Sequence, residues 1–209
     1  MGHLQVEKSA HFSPEYINNK NIFPTSFAQK RLWFLDHLLG ASSLYNIPWA
    51  IQLNGKLDVS ALQQSLNAIV ARHEVLRTCF VEQDGEPVQV IYDSVDFVCP
   101  LMDLSTLPLS SQDGKIQELL AAEGNKPFAL KEAPLIRATL FKLSEQEHIL
   151  LVTFHHSVAD GWSMGVFSRE LASFYVAFSL NQTVANVPEL PIQYADYTVW
   201  QHECCKGKC

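Results

Sequence analysis

The chain lacks the long apolar run that a membrane-spanning helix needs, since no stretch of about 18 apolar residues occurs in it. Its first residues also lack the apolar core of a signal peptide. Basic residues are scarce: 15 Lys and Arg stand against 22 Asp and Glu, a net charge of −7. Nucleic acid and anionic membranes both attract a basic face, so neither is expected as the main partner. The expected location is the cytoplasm.

Cysteine is scarce and badly spaced for a disulfide framework or a metal site. Its total of five is odd, and Cys79 and Cys99 stand singly in apolar surroundings, where a thiol behaves as a small hydrophobe. Three more cysteines crowd the last six residues without a fourth ligand at the usual zinc spacing. We predict no metal site and treat residues 204–209 as a truncated Cys/Lys tail.

Several catalytic patterns are also missing. The sequence holds no paired carboxylates at a useful spacing, no glycine loop that would cradle a phosphate and no nucleophile elbow. Hydrolase and kinase chemistry therefore have no support.

Helical and strand patterns follow one another after a polar lead-in at residues 1–24. Helices are predicted at 27–39, from Asp58 or Ser60 to about Arg72, at 112–123, at 162–179 and from near Tyr194; strands at 47–53, 76–81, 88–92, 135–143 and 148–156. This order predicts an α+β fold, in which one mixed sheet is covered by one layer of helices in a two-layer sandwich. Trp33 and Trp200 lie on helical apolar stripes and are predicted to be core residues.

The strand at 148–156 has apolar residues on both faces and ends in two histidines. Because side chains alternate along a strand, His155 and His156 point in opposite directions and cannot easily share one substrate or metal. His156 is the last strand residue before a turn into a helix, and reactive groups are often presented at such strand ends. His156 is therefore the candidate reactive group, and His155 is predicted to be architectural.

Asp160 and Gly161 lie directly ahead of the long helix. The Asp160 carboxylate can cap the helix or pair with a cation from another element. Gly161 is predicted to give the turn its conformational freedom and to let a backbone N–H approach a ligand closely.

These residues form one of four motifs that resemble those of a known family. The segment 155–163 reads His-His-Ser-Val-Ala-Asp-Gly-Trp-Ser and is similar to the signature of nonribosomal peptide synthetase condensation domains. The segments 26–35, 72–80 and 194–200 resemble the family's first, second and fourth motifs, in the right order. The residues of the first and third motifs resemble those of the condensation-domain subtype that joins two L-configured amino acids.

The resemblance implies a chloramphenicol acetyltransferase-like fold of two halves with a tunnel between them. Phosphopantetheine arms of partner carrier domains would bring an acyl thioester and an acceptor amine from opposite ends, and the domain itself would bind no cofactor. This chain would be the N-terminal half, at residues 25–203. The missing C-terminal half and an adjacent adenylation domain would be its other partners, and the isolated half is predicted to be inactive.

Roles for individual residues also follow from the resemblance. His156 would act as base or positioning group for the amine, and His155 would be structural. Asp160 would pair with an arginine, Arg72 being preferred over Arg77, to hold the loop that presents His156. Gly161 would set backbone geometry or offer an N–H to the oxyanion.

Two other functions remain open on the sequence. One is a coenzyme A-dependent acyltransferase that assembles as a trimer, which the chain length favours and the first two motifs oppose. The other is a non-catalytic fragment or docking module, which the missing half favours.

Overall fold

The structure, a computed structural model, describes residues 15–16, 20–40, 42–182 and 190–205. These residues form two four-stranded sheets, five α-helices and one short 3-10 helix at Glu74–Arg77. The strands are β1 (Glu15–Tyr16), β2 (Lys20–Pro24), β3 (Asn46–Asn54), β4 (Thr78–Gln83), β5 (Glu86–Tyr92), β6 (Leu101–Asp103), β7 (Ile136–Ser144) and β8 (Glu147–His155). The helices are α1 (Phe27–Leu39), α2 (Val59–Arg72), α3 (Leu109–Gly124), α4 (Gly161–Ser179) and α5 (Tyr194–Cys205).

The sheet that carries the two histidines has the order β3-β8-β7-β6. Strand β8 pairs antiparallel with β3 on one side and β7 on the other, while β6 runs parallel to β7. The second sheet has the order β1-β2-β5-β4 and is antiparallel throughout. The predicted α+β fold with a mixed sheet is confirmed, and the predicted strand at 148–156 lies inside that sheet. The prediction of a single sheet is wrong, because β4 and β5 pair with β2 in a second sheet.

Helices cover both faces of the β8 sheet. Leu150, Val152 and Phe154 pack into the main core with α2 and α4, where the ring of Phe154 meets that of Phe167 edge-on at 5.3 Å. The alternate residues Ile149 and Leu151 pack into a smaller core with α3. The prediction of a single helix layer is therefore wrong, because the weak apolar stripe of α3 does not reveal which face it covers.

Local signals in the sequence set the helix ends. Ser26 caps α1 through a capping box with Gln29, and Gly40 follows the last turn with φ of 75°. Asp58 caps α2 by accepting a hydrogen bond from Ala61 N–H. The turn between β4 and β5 places Asp84 and Gly85 at positive φ, as a two-residue hairpin turn requires.

The first sheet contains the main departures from the sequence predictions. Lys20–Pro24 form β2 and pair with β5, so the polar lead-in does not extend to residue 24. This strand is five residues long and its partner lies about 70 residues away, so its alternation is too short to stand out. Residues 1–14 and 17–19 of the predicted lead-in lie outside the described residues.

The end of the described chain also differs from the sequence predictions. Cys204 and Cys205 belong to α5, so the predicted tail starts inside a helix, and residues 206–209 lie outside the described residues. Cys204 is disulfide-bonded, which the cysteine count did not predict. Trp33 packs against the core as predicted, but Trp200 is 55% exposed and is not a core residue. Within the described ranges, no helix is long and apolar enough to cross a membrane.

Candidate active site

The candidate site lies where β8 ends and the chain turns into α4. Strand β8 ends at His155, one residue earlier than predicted, and residues 156–158 form a turn. The N–H of His156 still donates to the Tyr45 carbonyl at 2.8 Å, and Val158 N–H donates to the His155 carbonyl at 3.0 Å. The turn is therefore tied to the sheet on both sides of Ser157.

His155 is a core residue. It is 1% exposed and its ring meets the rings of Tyr45 and Phe128 edge-on. The backbone N–H of Ser157 donates to His155 Nδ1 at 3.2 Å, so this nitrogen acts as an acceptor. Burial lowers the pKa of His155 to about 4, and the neighbouring His156 adds a smaller effect in the same direction. A neutral imidazole in the core is thus the stable form.

His156 is exposed, and its ring is held by the backbone of its own loop. Nδ1 lies 3.0 Å from the Ala159 carbonyl oxygen. Because a carbonyl oxygen only accepts hydrogen bonds, Nδ1 carries the proton, and the lone pair of the neutral ring is on Nε2. The ring therefore offers an acceptor nitrogen at a fixed tautomer.

A cleft of about 430 Å³ adjoins His156. Residues of α1, of the His156 loop, of the starts of α4 and α5, and of the segments before β3 and after α2 line it; they are Ala28, Arg31, Leu32, Leu35, Tyr45, Val75, His156, Ser157, Val158, Ala159, Asp160, Ser163 and Tyr194. The wall combines apolar surface with one cation, one carboxylate, one imidazole and two phenols. It suits a polar reacting group attached to an apolar chain.

Asp160 caps α4. Its Oδ1 accepts hydrogen bonds from Ser163 N–H at 2.9 Å and from the Ser163 hydroxyl at 2.7 Å. These bonds from Ser163, first the hydroxyl and then the backbone, lower the pKa of the exposed carboxyl. The predicted cap is therefore present, and it satisfies helix donors that would otherwise be orphaned.

The predicted ion pair between Asp160 and Arg72 is wrong. Arg72 Nε donates to Glu170 Oε1 at 3.0 Å, and His73 Nε2 lies 2.6 Å from the other oxygen of Glu170. Glu170 lies two turns into α4, so it faces the end of α2, whereas Asp160 lies at the exposed helix start. Arg72 thus ties α2 to α4 and not to the loop of His156.

The alternative partner, Arg77, is also used elsewhere. Its guanidinium donates to the backbone carbonyls of Tyr92 and Ala71. The prediction for Gly161 needs correction too, because it is the first residue of α4, has no positive φ, and a Cβ there would meet open space. Conformational freedom is not what this position requires; its backbone N–H toward a ligand stays a prediction.

Other chemistries are poorly supported by the described residues. Ser157 Oγ lies 2.8 Å from His155 Nδ1, which resembles a nucleophile and its base, but both side chains are buried. Burial raises the pKa of the Cys99 thiol to about 11, so a thiolate is not available there. No group of three metal-ligating side chains occurs among residues that the structure describes.

Sequence reasoning missed a set of polar contacts behind the site. The hydroxyls of Ser26 and Tyr194 lie 3.0 Å apart, although the residues are 168 positions apart in the chain. Gln29 of α1 is buried and donates to the Ser157 carbonyl at 3.3 Å. Ser26 and Gln29 both belong to the first motif, so the motif was the one signal in the sequence that marked them. Contacts between residues so far apart in the chain leave no local sequence pattern that would reveal the partners.

Comparison with known proteins places the chain among relatives of one kind. A sequence model of the family described as "Condensation domain" matches residues 19–208. A linear gramicidin synthase protein of Brevibacillus parabrevis is 45% identical over 185 residues, which is 88% of this chain and 2% of that protein. The chondramide synthase of Chondromyces crocatus is 44% identical over 194 residues, or 93% of this chain and 5% of that protein.

Solved structures agree in fold. The X-domain from teicoplanin biosynthesis matches with a TM-score of 0.74 and 34% identity, over 88% of this chain and 39% of that one. The first condensation domain of the CDA synthetase matches with a TM-score of 0.77 and 21% identity, over 86% of this chain and 45% of that one. The latter likeness bears on the fold alone. The chain spans less than half of each of these two solved domains.

The capping role of Asp160 predicts a modest stability loss. Asp160→Ala should lower the free energy of unfolding by about 1 kcal/mol, because it removes only the exposed cap. Since the pKa of the Asp160 carboxyl is lowered in the folded state, the ionised cap stabilises the fold at neutral pH. That stabilisation is lost as the pH falls through the lowered pKa. Urea unfolding checks this, with Asp58→Ala, the cap of α2, as the matched control. A loss of about 3–5 kcal/mol would instead indicate a buried ion pair.

The buried neutral His155 predicts acid sensitivity. The unfolded chain protonates this imidazole below about pH 6.5, whereas the folded state resists until about 4. Burial of His155 therefore does not lower the free energy of unfolding above the pKa of the unfolded chain. As the pH falls from there toward the pKa of the folded state, the loss of stability grows by about 1.4 kcal/mol per pH unit. His155→Gln should flatten the pH dependence of the free energy of unfolding in this window. An equally steep dependence in His155→Gln would contradict the assignment.

Proposed function

Because the chain belongs to the condensation domain family, we propose that it is the His156-bearing half of a nonribosomal peptide synthetase domain that forms amide bonds. The substrates are a carrier-bound acyl or peptidyl thioester and a carrier-bound aminoacyl amine. One observation carries the proposal: exposed His156 donates from Nδ1 to the Ala159 carbonyl, so Nε2 is left as an acceptor beside the cleft.

The reaction needs alignment more than activation, because a thioester is already a reactive acyl donor. The amine nitrogen attacks the thioester carbon, the C–N bond forms as the C–S bond breaks, the nitrogen loses a proton and the sulfur leaves as a thiol. Nε2 of His156 can take that proton or hold the amine by accepting its N–H, and both roles need the lone pair on Nε2. The N-terminus of α4 brings partial positive charge near the oxyanion that develops.

The proposal gives the supporting residues roles that differ from those expected on the resemblance. Asp160 fixes the start of α4, and Ala159 fixes the ring of His156 through its carbonyl. Arg72 acts at a distance from the loop, by joining α2 to α4 through Glu170. His155 supports the site from the core, where it anchors Ser157.

The partners are proposed on the same basis. Two carrier domains would deliver the phosphopantetheine-linked substrates, and a C-terminal half would close the cleft into a tunnel. The chain spans 45% of a solved condensation domain and 2% of a linear gramicidin synthase protein, which is consistent with a further half and an adenylation domain elsewhere in the same protein. Trp162, which is 83% exposed at the start of α4, is a large apolar side chain that such a half would cover.

The assignment of His156 predicts a large loss of rate in the complete condensation domain. His156→Ala should reduce condensation by about 10²–10⁴-fold and leave thermal melting near wild type, because the exposed ring supports little packing. Single-turnover product formation between loaded carrier domains measures the rate. His155→Ala is the control, which should behave as a core lesion and lower the melting temperature. A full rate in His156→Ala would remove the imidazole from the mechanism.

The half-domain proposal predicts that the 209-residue chain alone is silent. Without the C-terminal half, water enters the cleft and the amine is not held near the thioester. The lowering of the activation barrier that comes from positioning, about 7 kcal/mol or more, is then lost. Mass spectrometry after incubation with loaded carrier domains should find no peptide. Acetyl transfer from acetyl coenzyme A by the chain, together with a trimeric mass in solution, would favour the stand-alone acyltransferase instead.

A further inference from the structure

Gln29 lies on α1 with its amide fully engaged and 1% exposed. Its Oε1 accepts a hydrogen bond from Ser26 N–H at 2.9 Å, which completes the capping box of α1. Its Nε2 donates to Gln89 Oε1 at 3.0 Å and to the Ser157 carbonyl at 3.3 Å. One side chain thus joins a helix start, a strand of the other sheet and the residue next to His156.

The orientation of this amide is set by Ser26 N–H, which needs Oε1 as its acceptor, and the bonds of Gln89 agree with it. Gln89 Nε2 donates to the Pro24 carbonyl at 2.8 Å and to Thr198 Oγ1 at 3.3 Å, so its Oε1 is the atom left to accept. Gln29 must then present Nε2 to Gln89, and the same nitrogen has a second hydrogen for Ser157. The chain of amides is buried at every step, where an unmet hydrogen bond is costly.

Hydrogen bonds to three backbone carbonyls help to hold the turn that carries His156. The first two join His156 N–H to Tyr45 and Val158 N–H to the His155 carbonyl. The third is the bond from Gln29 to the Ser157 carbonyl, which lies between them. Removal of that donor leaves a buried carbonyl without this partner, and the peptide plane that follows Ser157 can rotate toward another one. Such a rotation would shift the imidazole of His156 relative to the cleft.

We propose that Gln29 is a positioning residue for condensation, which acts through its hydrogen bond to the Ser157 carbonyl and thereby holds His156 in its reactive place. The inference rests on the proposed function of His156. Gln29 does not line the cleft, so it does not touch the substrates. Its effect should therefore fall on the rate of the bound complex and not on substrate affinity, since a misplacement of about 1 Å in a catalytic group costs up to about 10²-fold.

The test uses the complete condensation domain with both loaded carrier domains. Gln29→Met keeps the side-chain length and removes the donor. We expect kcat to fall by about 10–100-fold with an unchanged KM for the aminoacyl carrier domain. Gln112→Met is the matched control, because Gln112 is also buried and its Nε2 donates to the carbonyls of Leu104, Leu107 and Leu143, away from the site. It should lose stability and keep kcat.

A second control lies inside the network. Gln89→Met should leave the bond from Gln29 to Ser157 in place, because Ser26 N–H still holds Gln29 Oε1, so it should lose stability while kcat stays within about twofold. If Gln29→Met does not fold, Gln29→Glu replaces it, because an oxygen is kept for Ser26 N–H and the capping box persists. The ionised carboxylate has no proton for Ser157, so kcat relative to wild type should be lowest at the alkaline end of the pH profile.

Two results would overturn the proposal. One is a wild-type kcat in Gln29→Met at a temperature where the variant is folded; the other is a wild-type kcat in Gln29→Glu at alkaline pH. His156→Ala in the same assay separates this failure from failure of the proposed function. If His156→Ala loses activity and Gln29→Met does not, only the positioning role is wrong; if His156→Ala keeps its rate, the function itself is wrong.

Discussion

Burial of β8 on both faces is the constraint on which the site depends. The strand lies between β3 and β7, with α2 and α4 against one face and α3 against the other. Its side chains from Leu150 onward are buried, so His155 is held neutral in the core. The first position free of this constraint is His156, which leaves the strand in a turn and meets the cleft. The reactive imidazole thus belongs to the first residue after the part of β8 that is buried on both faces.

The site is assembled from segments that are far apart in the chain, and polar contacts between them are made in the core. Gln29 and Gln89 link α1 to β5 and to the turn of His156, and Thr198 links α5 to the same network. A buried polar network of this kind tolerates few arrangements, because each unpaired amide group would lose a hydrogen bond without gaining water. The network therefore specifies one relative placement of the two sheets and the loop.

Local patterns in the sequence predicted the bounds of most elements within a few residues. Capping residues such as Ser26 and Asp58 are local signals, and so are the apolar residues on both faces of β8. The separation of His155 and His156 followed from alternation alone. Short strands with distant partners, such as β2, were missed, and so was the face that α3 covers. The Asp160–Arg72 pair failed for a related reason: the resemblance implied the pairing, but the packing of α2 on α4 brings Glu170 to Arg72 and leaves Asp160 at the helix start.

The register of the β7–β8 hairpin has a consequence for how this site can vary. Glu147 and Ser144 face each other across its turn, the register shifts between Lys142 and Ser144, and from the pair of Lys142 with His148 onward the two strands pair residue by residue. A shift of the pairing by a single residue would exchange the environments of the two histidines, because side chains alternate with a period of two. The identity of the reactive imidazole therefore depends on the register of β8 against β3 and β7. The irregularity beside the turn lies outside the regular pairing, so an extra residue is absorbed there, whereas one inserted between His148 and His155 would change which histidine meets the cleft.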